Sequence, residues 1–336
     1  MPPDDLIYVT RDPINAEAPL DAQRGLVTPN DRHYVRNHFR MPEPPALLSI
    51  DGAVRTAQDL SIERVRSLPR RSLVVTLECA GNGRAFIDPP APGEQWKTGA
   101  VSTAEWTGVS LRSVLDLAGP LPGAVEALFI GADEGAPKDL GRTIAFERSL
   151  PIADALGGEA LIAYEMNGEP LPVEHGAPLR LVMPGWYGMA SVKWLRRITL
   201  REEPFHGFYQ TDRYVIEGRP LRAIAPRAVI ASPRDGDRVP AGRVEVRGYA
   251  WSGGDEISAV ELTRDGGAMW TRVEPATVPS RYAWREWSVR IEAKRGDLVI
   301  VARAVTKSGA TQPLDPVWNA LGYSNNGARP VRLTVS

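Results

Sequence analysis

The clearest periodic signal in the chain is an apolar run, Ser72-Leu73-Val74-Val75-Thr76-Leu77, followed by Glu78-Cys79-Ala80-Gly81-Asn82-Gly83. A leucine- and β-branched stretch of this length predicts a buried strand over 72–78. Gly81-Asn82-Gly83 then predicts a tight turn, because Gly and Asn accept positive φ. Further apolar stretches predict strands over 126–131, 160–165 and 178–184. Helical spacing occupies 57–68 and runs again from Ser110 to Ala118. Met166-Asn167-Gly168-Glu169 carries the Asn-Gly pair of a type I′ hairpin. Residues 1–45 are proline-rich and predict irregular chain, with Asp31–Phe39 as an extended loop. Strands and helices mix without regular βαβ alternation, so residues 1–222 are expected to form an α+β domain.

After about residue 225 the texture changes. Alternating segments follow at short intervals, at 226–232, 243–251, 257–264, 268–274, 282–292, 297–306 and 330–336. Asp265-Gly266-Gly267 predicts a hairpin turn between two of them. About seven short strands in roughly 110 residues fit an immunoglobulin-like β-sandwich. The expected domains are therefore 1–222 and 223–336, and a length of 336 residues suits two domains.

Composition narrows the chemistry. A formal net charge of -1 offers no general attraction for nucleic acid or an anionic membrane. No window approaches about 18 consecutive apolar residues, so no transmembrane helix is expected. The start, Met1-Pro2-Pro3-Asp4-Asp5, has neither a basic stretch nor an apolar core. It predicts no secretory or twin-arginine leader, and hence a cytoplasmic protein, or a periplasmic one if the true start is upstream of Met1. A single cysteine excludes an intrachain disulfide and any Cys-rich zinc or iron–sulfur site. The histidines, at 33, 38, 175 and 206, never pair as His-x-x-x-His, which excludes a zinc-protease helix.

The one thiol, Cys79, lies where a strand ends in a turn, with Arg84 close behind. Turn amides and a cation favour thiolate, which is both a nucleophile and a soft-metal ligand. A lone cysteine is by default a buried structural residue. Other segments argue for more. They are Tyr34-Val35-Arg36-Asn37-His38, the stretch from Glu94-Gln95-Trp96 to Trp106, His175-Gly176-Ala177-Pro178-Leu179-Arg180, and Met183-Pro184-Gly185-Trp186-Tyr187-Gly188 with Ser191-Val192-Lys193-Trp194.

Together with Cys79-Ala80-Gly81-Asn82-Gly83-Arg84, this set resembles the sulfite oxidase family of molybdenum enzymes, from about residue 30 to the end. The resemblance implies a sulfite-oxidase-type molybdopterin domain, followed by an all-β immunoglobulin-like sandwich that pairs two subunits as a homodimer. It implies that Cys79 is the one protein ligand of a molybdenum held by a pterin dithiolene. Tyr34, Val35, Arg36, Asn37, His38, Asp133, His175, Arg180, Ser191, Val192 and Lys193 would hold the pterin, Arg180 and Lys193 suiting its phosphate by charge. Arg36 and Arg84 match the family's anion-pocket arginines, Trp96 its pocket tryptophan and Tyr214 its active-site tyrosine.

The implied reaction is oxygen-atom transfer that oxidises sulfite to sulfate, with electrons passed to a separate acceptor such as a cytochrome. No haem is expected in this chain. One departure is Leu321, in Trp318-Asn319-Ala320-Leu321-Gly322, where animal sulfite oxidases carry a further anion-pocket arginine. Arg213 is a candidate to compensate. The departure keeps open an alternative, a nitrate or sulfoxide reductase on the same molybdenum–pterin scaffold. A non-catalytic module built on the sandwich is a third reading, and the cysteine, both arginines and the tyrosine argue against it.

Overall fold

A computed structural model describes residues 5–336 of the chain. The first four residues of the N-terminal expectation lie outside the described residues. The apolar run at 72–77 sits inside a strand, Arg70–Glu78, that pairs antiparallel along its whole length with Val101–Ser110. Val101–Ser110 pairs on its other edge with Leu161–Met166, and Arg180–Val182 extends the same sheet. Gly108 marks a close approach, since a Cβ there would lie 2.0 Å from the Ile162 carbonyl oxygen.

A second sheet runs in the order Gln58–Ser61, Leu47–Gly52, Leu195–Arg201, Glu126–Gly135, Ile144–Pro151. Its middle strand, Leu195–Arg201, pairs parallel with Leu47–Gly52 and antiparallel with Glu126–Gly135. Ile50, Phe129 and Ile198 from this sheet join Val109 and Ile162 from the first in one apolar core. Full burial of each such side chain contributes roughly 1.5–3 kcal/mol.

Three local expectations are corrected. The helical spacing over 57–68 resolves into the strand Gln58–Ser61 and a short helix, Ile62–Arg66. Ser61 caps that helix by accepting from the Arg64 N–H at 3.1 Å. Pairing with Leu47–Gly52 overrides the helical period, since it buries Leu60 at the sheet edge. The N-terminal region is not wholly irregular. Ile7–Arg11 and Ile14–Glu17 form a hairpin that Val35–Arg36 completes as a three-stranded sheet. Strands at Leu47–Gly52, Val101–Ser110, Ile144–Pro151 and Leu195–Arg201 complete the domain, although local pattern alone does not mark them. The helix from Ser110 is real but shorter, Leu111–Asp116. Asn167 and Gly168 both have positive φ, as the type I′ turn requires.

From Arg227 onward the described structure is β. Arg227–Ser232, Gly242–Trp251 and Arg285–Ala293 form one sheet. Arg238–Val239, Pro330–Val335, Gly296–Thr306, Ile257–Thr263 and Thr271–Val273 form another. Val246, Trp287 and Ile291 of the first meet Val260, Ile300 and Leu333 of the second in a shared core. Gly266 and Gly267, both at positive φ, make the turn before Thr271–Val273. No helix among the described residues is long and apolar enough to cross a membrane.

The two halves are joined by a buried polar contact directly behind the cysteine turn. Arg227 Nη1 donates to Glu78 Oε1 at 2.7 Å. Trp251 Nε1 donates to Glu78 Oε2 and Asn82 Nδ2 to Glu78 Oε1, each at 2.9 Å.

Candidate active site

The strand Arg70–Glu78 delivers Cys79 to the base of a cavity. Cys79 N–H donates to the Ala100 carbonyl at 2.9 Å, and the Cys79 carbonyl accepts from Asn82 N–H at 2.9 Å. The turn is tightly enclosed, and its backbone calls for glycine at position 83. A Cβ on Gly81 would lie 2.5 Å from Arg84 Nη1, and one on Gly83, at φ +89°, would lie 2.8 Å from Arg227 Nη2. The second domain braces the turn from outside: Ser324 N–H donates to the Ala80 carbonyl at 2.8 Å, and Asn325 Nδ2 donates to the Gly83 carbonyl at 2.6 Å.

The thiolate expectation needs correction. Burial pushes the Cys79 thiol above its ordinary value; Arg36, the Gly81 N–H and Arg84 oppose this and are outweighed. The thiol is therefore protonated by default, and a bound cation is what would draw off its proton.

Cys79 occupies a neck between two spaces. An inner cavity is lined by His33, Tyr34, Asp133, His175, Arg180, Ser191 and Lys193, among others. An outer cavity of about 800 Å³ is lined by Arg84, Glu94, Trp96, Arg213, Leu321 and Tyr323, among others. Four residues line both: Arg36, His38, Cys79 and Tyr214.

The inner wall is cationic and held by backbone carbonyls. Arg180 Nη1 donates to the His175 carbonyl at 2.8 Å and Nη2 to the Ser191 carbonyl at 3.1 Å, with its guanidinium 4.6 Å from the Trp106 ring centre. Burial lowers its pKa to about 10. Lys193 Nζ donates to Asn37 Oδ1 and, at 2.9 Å, to the Glu174 carbonyl. Burial and Arg180 hold the Lys193 ammonium well below its ordinary pKa. His175 Nε2 lies 3.1 Å from the Asn30 carbonyl oxygen. Burial keeps His175 and His38 neutral well below the ordinary histidine range, and takes His33 to about 3. Asp133 goes the other way, and burial raises its carboxyl to about 6.

Not every expected residue reaches this space with its side chain. Val35 packs with Leu6 and Ala16, and Val192 sits in the main core. Asn37 acts behind the wall, through Lys193. Ser191 lines the cavity, and its Oγ accepts from Met183 N–H at 3.0 Å.

In the outer cavity, Arg36 is tethered on both sides. Nη1 donates to Asn15 Oδ1 at 3.2 Å and to the Asn37 carbonyl, while Nη2 lies 3.4 Å from Glu94 Oε2. Arg84 is clamped by carbonyls: Nε and Nη2 donate to Leu321 at 3.1 and 3.0 Å, and Nη1 donates to Glu94 at 3.0 Å. Trp96 is fully buried, and its Nε1 has no partner. Tyr214, at φ +56°, places its hydroxyl 2.6 Å from His38 Nε2 and stacks on Tyr323. Burial holds the Tyr214 phenol well above its ordinary pKa, so it stays protonated. It follows a single π-helical turn, Phe208–Asp212. Arg213, the candidate to compensate for Leu321, lines the outer cavity and is ion-paired there with Asp139.

Two functional candidates lie outside the sequence reading. His33 is in the extended loop, but only folding shows its ring edge-on to His175 at 4.9 Å. Glu94 contacts both pocket arginines, one by its carboxylate and one by its carbonyl, and only its place two residues before Trp96 hinted at a role.

Residues 40–209 match the oxidoreductase molybdopterin binding domain, and residues 220–335 match the Mo-co oxidoreductase dimerisation domain. The chain is 37% identical over 346 residues to sulfite oxidase of Gallus gallus, covering 92% of this chain and 74% of that protein. This chain belongs to the sulfite oxidase family. Another member, sulfite oxidase of Arabidopsis thaliana, is 32% identical, with 96% of this chain and 92% of the relative covered. Mitochondrial sulfite oxidase of Homo sapiens is 35% identical, and the chain covers 65% of its length. Among solved structures, the sulfane dehydrogenase SoxCD of Paracoccus pantotrophus matches with a TM-score of 0.82 at 28% identity, covering 97% of this chain and 87% of that one.

The residues present fit the molybdenum–pterin group of this sulfite oxidase family member. Among the described residues, no three His, Cys, Asp or Glu side chains cluster as a metal site. Cys79, the one cysteine of the chain, offers a soft donor at the neck, which would suit a metal whose other ligands come from a non-protein group. Asp133 Oδ1 and His33 Nε2, both at the inner cavity, are buried without a hydrogen-bond partner. Such orphaned atoms are costly unless a bound group satisfies them. The cationic inner wall matches a phosphate-bearing ligand.

Proposed function

We propose that this chain is a molybdenum-dependent oxidoreductase that oxidises sulfite to sulfate and passes electrons to a separate acceptor such as a cytochrome. The observation that carries the reading is the position of Cys79 at the neck, with the cationic inner cavity on one side and Arg36 and Arg84 on the other. When bound, the molybdenum supplies oxygen-atom transfer and two-electron redox capacity.

The chain's own residues do the rest. Asp133, His33 and His175 would accept from or donate to the pterin ring, and Arg180 and Lys193 would hold its phosphate. Arg36 and Arg84 would orient a small oxyanion and offset its charge, because a guanidinium edge donates two hydrogen bonds to adjacent oxygens. The hydrogen-bonded Tyr214 and His38 would hold a proton at the neck, and Trp96 would narrow the way in. The domain boundary is placed at 222/223, and the C-terminal pair of sheets is read as an immunoglobulin-like module through which two copies form a homodimer, the commonest closed symmetry.

The test joins metal analysis with sulfite-dependent reduction of an artificial acceptor. About one molybdenum per chain with sulfite turnover is expected, and Cys79→Ser should abolish turnover. Full activity in that variant would sink the assignment. A second reading, nitrate reduction, draws support from Leu321 and from the Arg36–Glu94 pairing, which both reduce the positive charge offered to a dianion. A NADH nitrate reductase of Lotus japonicus is 33% identical over 358 residues. Nitrate turnover about tenfold above sulfite turnover, ~1.4 kcal/mol in barrier, would favour it.

A further inference from the structure

We infer that Glu94 determines substrate specificity by acting as a built-in counter-ion: its carboxylate occupies the oxyanion-binding edge of Arg36, so that an anionic substrate must displace it. The inference rests on the reading of the outer cavity as the substrate site.

Three observations support it. First, Arg36 has its Nη1 side committed to Asn15 and Asn37, and the remaining Nη2 lies 3.4 Å from Glu94 Oε2. This single contact sets the carboxylate beside the guanidinium nitrogen that is left for an incoming oxyanion. Second, Glu94 is fixed relative to the cavity by its own backbone, since its carbonyl accepts from Arg84 Nη1 at 3.0 Å. The preceding Gly93, at φ +106°, allows this approach, because a Cβ there would lie 2.9 Å from Arg84 Nη1. Third, two of the other cations lining this cavity, Arg84 and Arg213, are already partnered, which leaves Lys138 as the remaining one. Arg213 is paired with Asp139, and residue 321 supplies an apolar side chain and a carbonyl.

Glu94 and Arg36 side chains are only 27% and 17% exposed, so their attraction is less screened than that of a surface pair. The carboxylate has a cost and a use. It weakens binding of every small anion, and it repels a dianion about twice as strongly as a monoanion at the same place. It also keeps Arg36 oriented and partnered when no substrate is present. Glu94 is accordingly a positioning and selectivity residue, acting through Arg36.

The experiment uses the molybdenum-loaded protein and three forms of it: wild type, Glu94→Gln and Glu94→Asp. Steady-state sulfite kinetics are measured beside calorimetric binding of inorganic sulfate, which needs no turnover. Glu94→Gln keeps the shape and removes the charge. It should lower both the sulfite KM and the sulfate Kd by about tenfold, ~1.4 kcal/mol, with kcat changed less than about twofold. Glu94→Asp, which keeps the charge, should stay near wild type in both. Sulfite turnover with KM and sulfate Kd unchanged in Glu94→Gln overturns the counter-ion role and leaves the proposed reaction intact. Tighter sulfate binding in Glu94→Gln, with no sulfite turnover by any form, upholds the counter-ion role and overturns the reaction. A fall in kcat shared by both variants would mark Glu94 as merely structural and overturn the inference.

Discussion

Tyr214 and His38 meet at 2.6 Å in a setting where burial keeps the phenol protonated and the imidazole neutral. Under the proposed function, Tyr214→Phe removes the hydroxyl while keeping the ring stacked on Tyr323. The expected result is a fall in kcat/KM of about 10²-fold, the scale of a lost proton-transfer group, with thermal stability little changed. Asp133 allows a pH prediction. Its folded pKa is raised to about 6, so folding favours the neutral acid. Its contribution to stability is full below the ordinary carboxylate range and is lost as pH rises towards about 6. In the cofactor-free protein, Asp133→Asn should therefore match wild-type Tm near pH ~4 and exceed it near pH ~7. A constant difference across that range would contradict the assigned cause. At this scale Cys79, Arg36 and Tyr214 were singled out by resemblance to a known family, and folding brings all three to the neck between the two cavities. Glu94 and His33 were not, since their significance lies in partners far along the chain or across a cavity.

The strand–turn unit 70–84 is the element that makes the site. Its strand was legible from apolar content alone, and its turn from Gly81-Asn82-Gly83. The reason position 83 is glycine was not legible, because the atoms a Cβ would meet belong to Arg227 and Asn325. Gly83→Ala combines strain at positive φ with a clash, and should destabilise the protein by about 1–3 kcal/mol in denaturant unfolding. It should also reduce molybdenum content, since the same turn carries Cys79. The failed helix at 57–68 shows the converse. Pairing of Gln58–Ser61 with Leu47–Gly52 took the first part of that span into the sheet, and only Ile62–Arg66 stayed helical.

Across the whole molecule, the second domain is part of the site's support. Glu78, one residue before the cysteine, is buried and held by Arg227 and Trp251 from the other half. Arg227→Met would strand that carboxylate and should cost about 3–5 kcal/mol in unfolding free energy, with Glu78→Gln/Arg227→Met recovering part of it. Additive losses in the double variant would show that the pair is not coupled. By itself the sequence determined the chemistry class through its resemblance to a known family, and the two-part organisation and most strands of the C-terminal half through strand alternation and turn residues, which are short-range signals. Only the tertiary structure decided which charges face one another. Burial set the protonation of Cys79 and Asp133, the Leu321 carbonyl of the second domain and the Glu94 carbonyl of the first clamped Arg84, and Glu94 met Arg36 in the outer cavity. Protonation and pairing depend on desolvation and on distances between remote segments, and neither is written in local sequence.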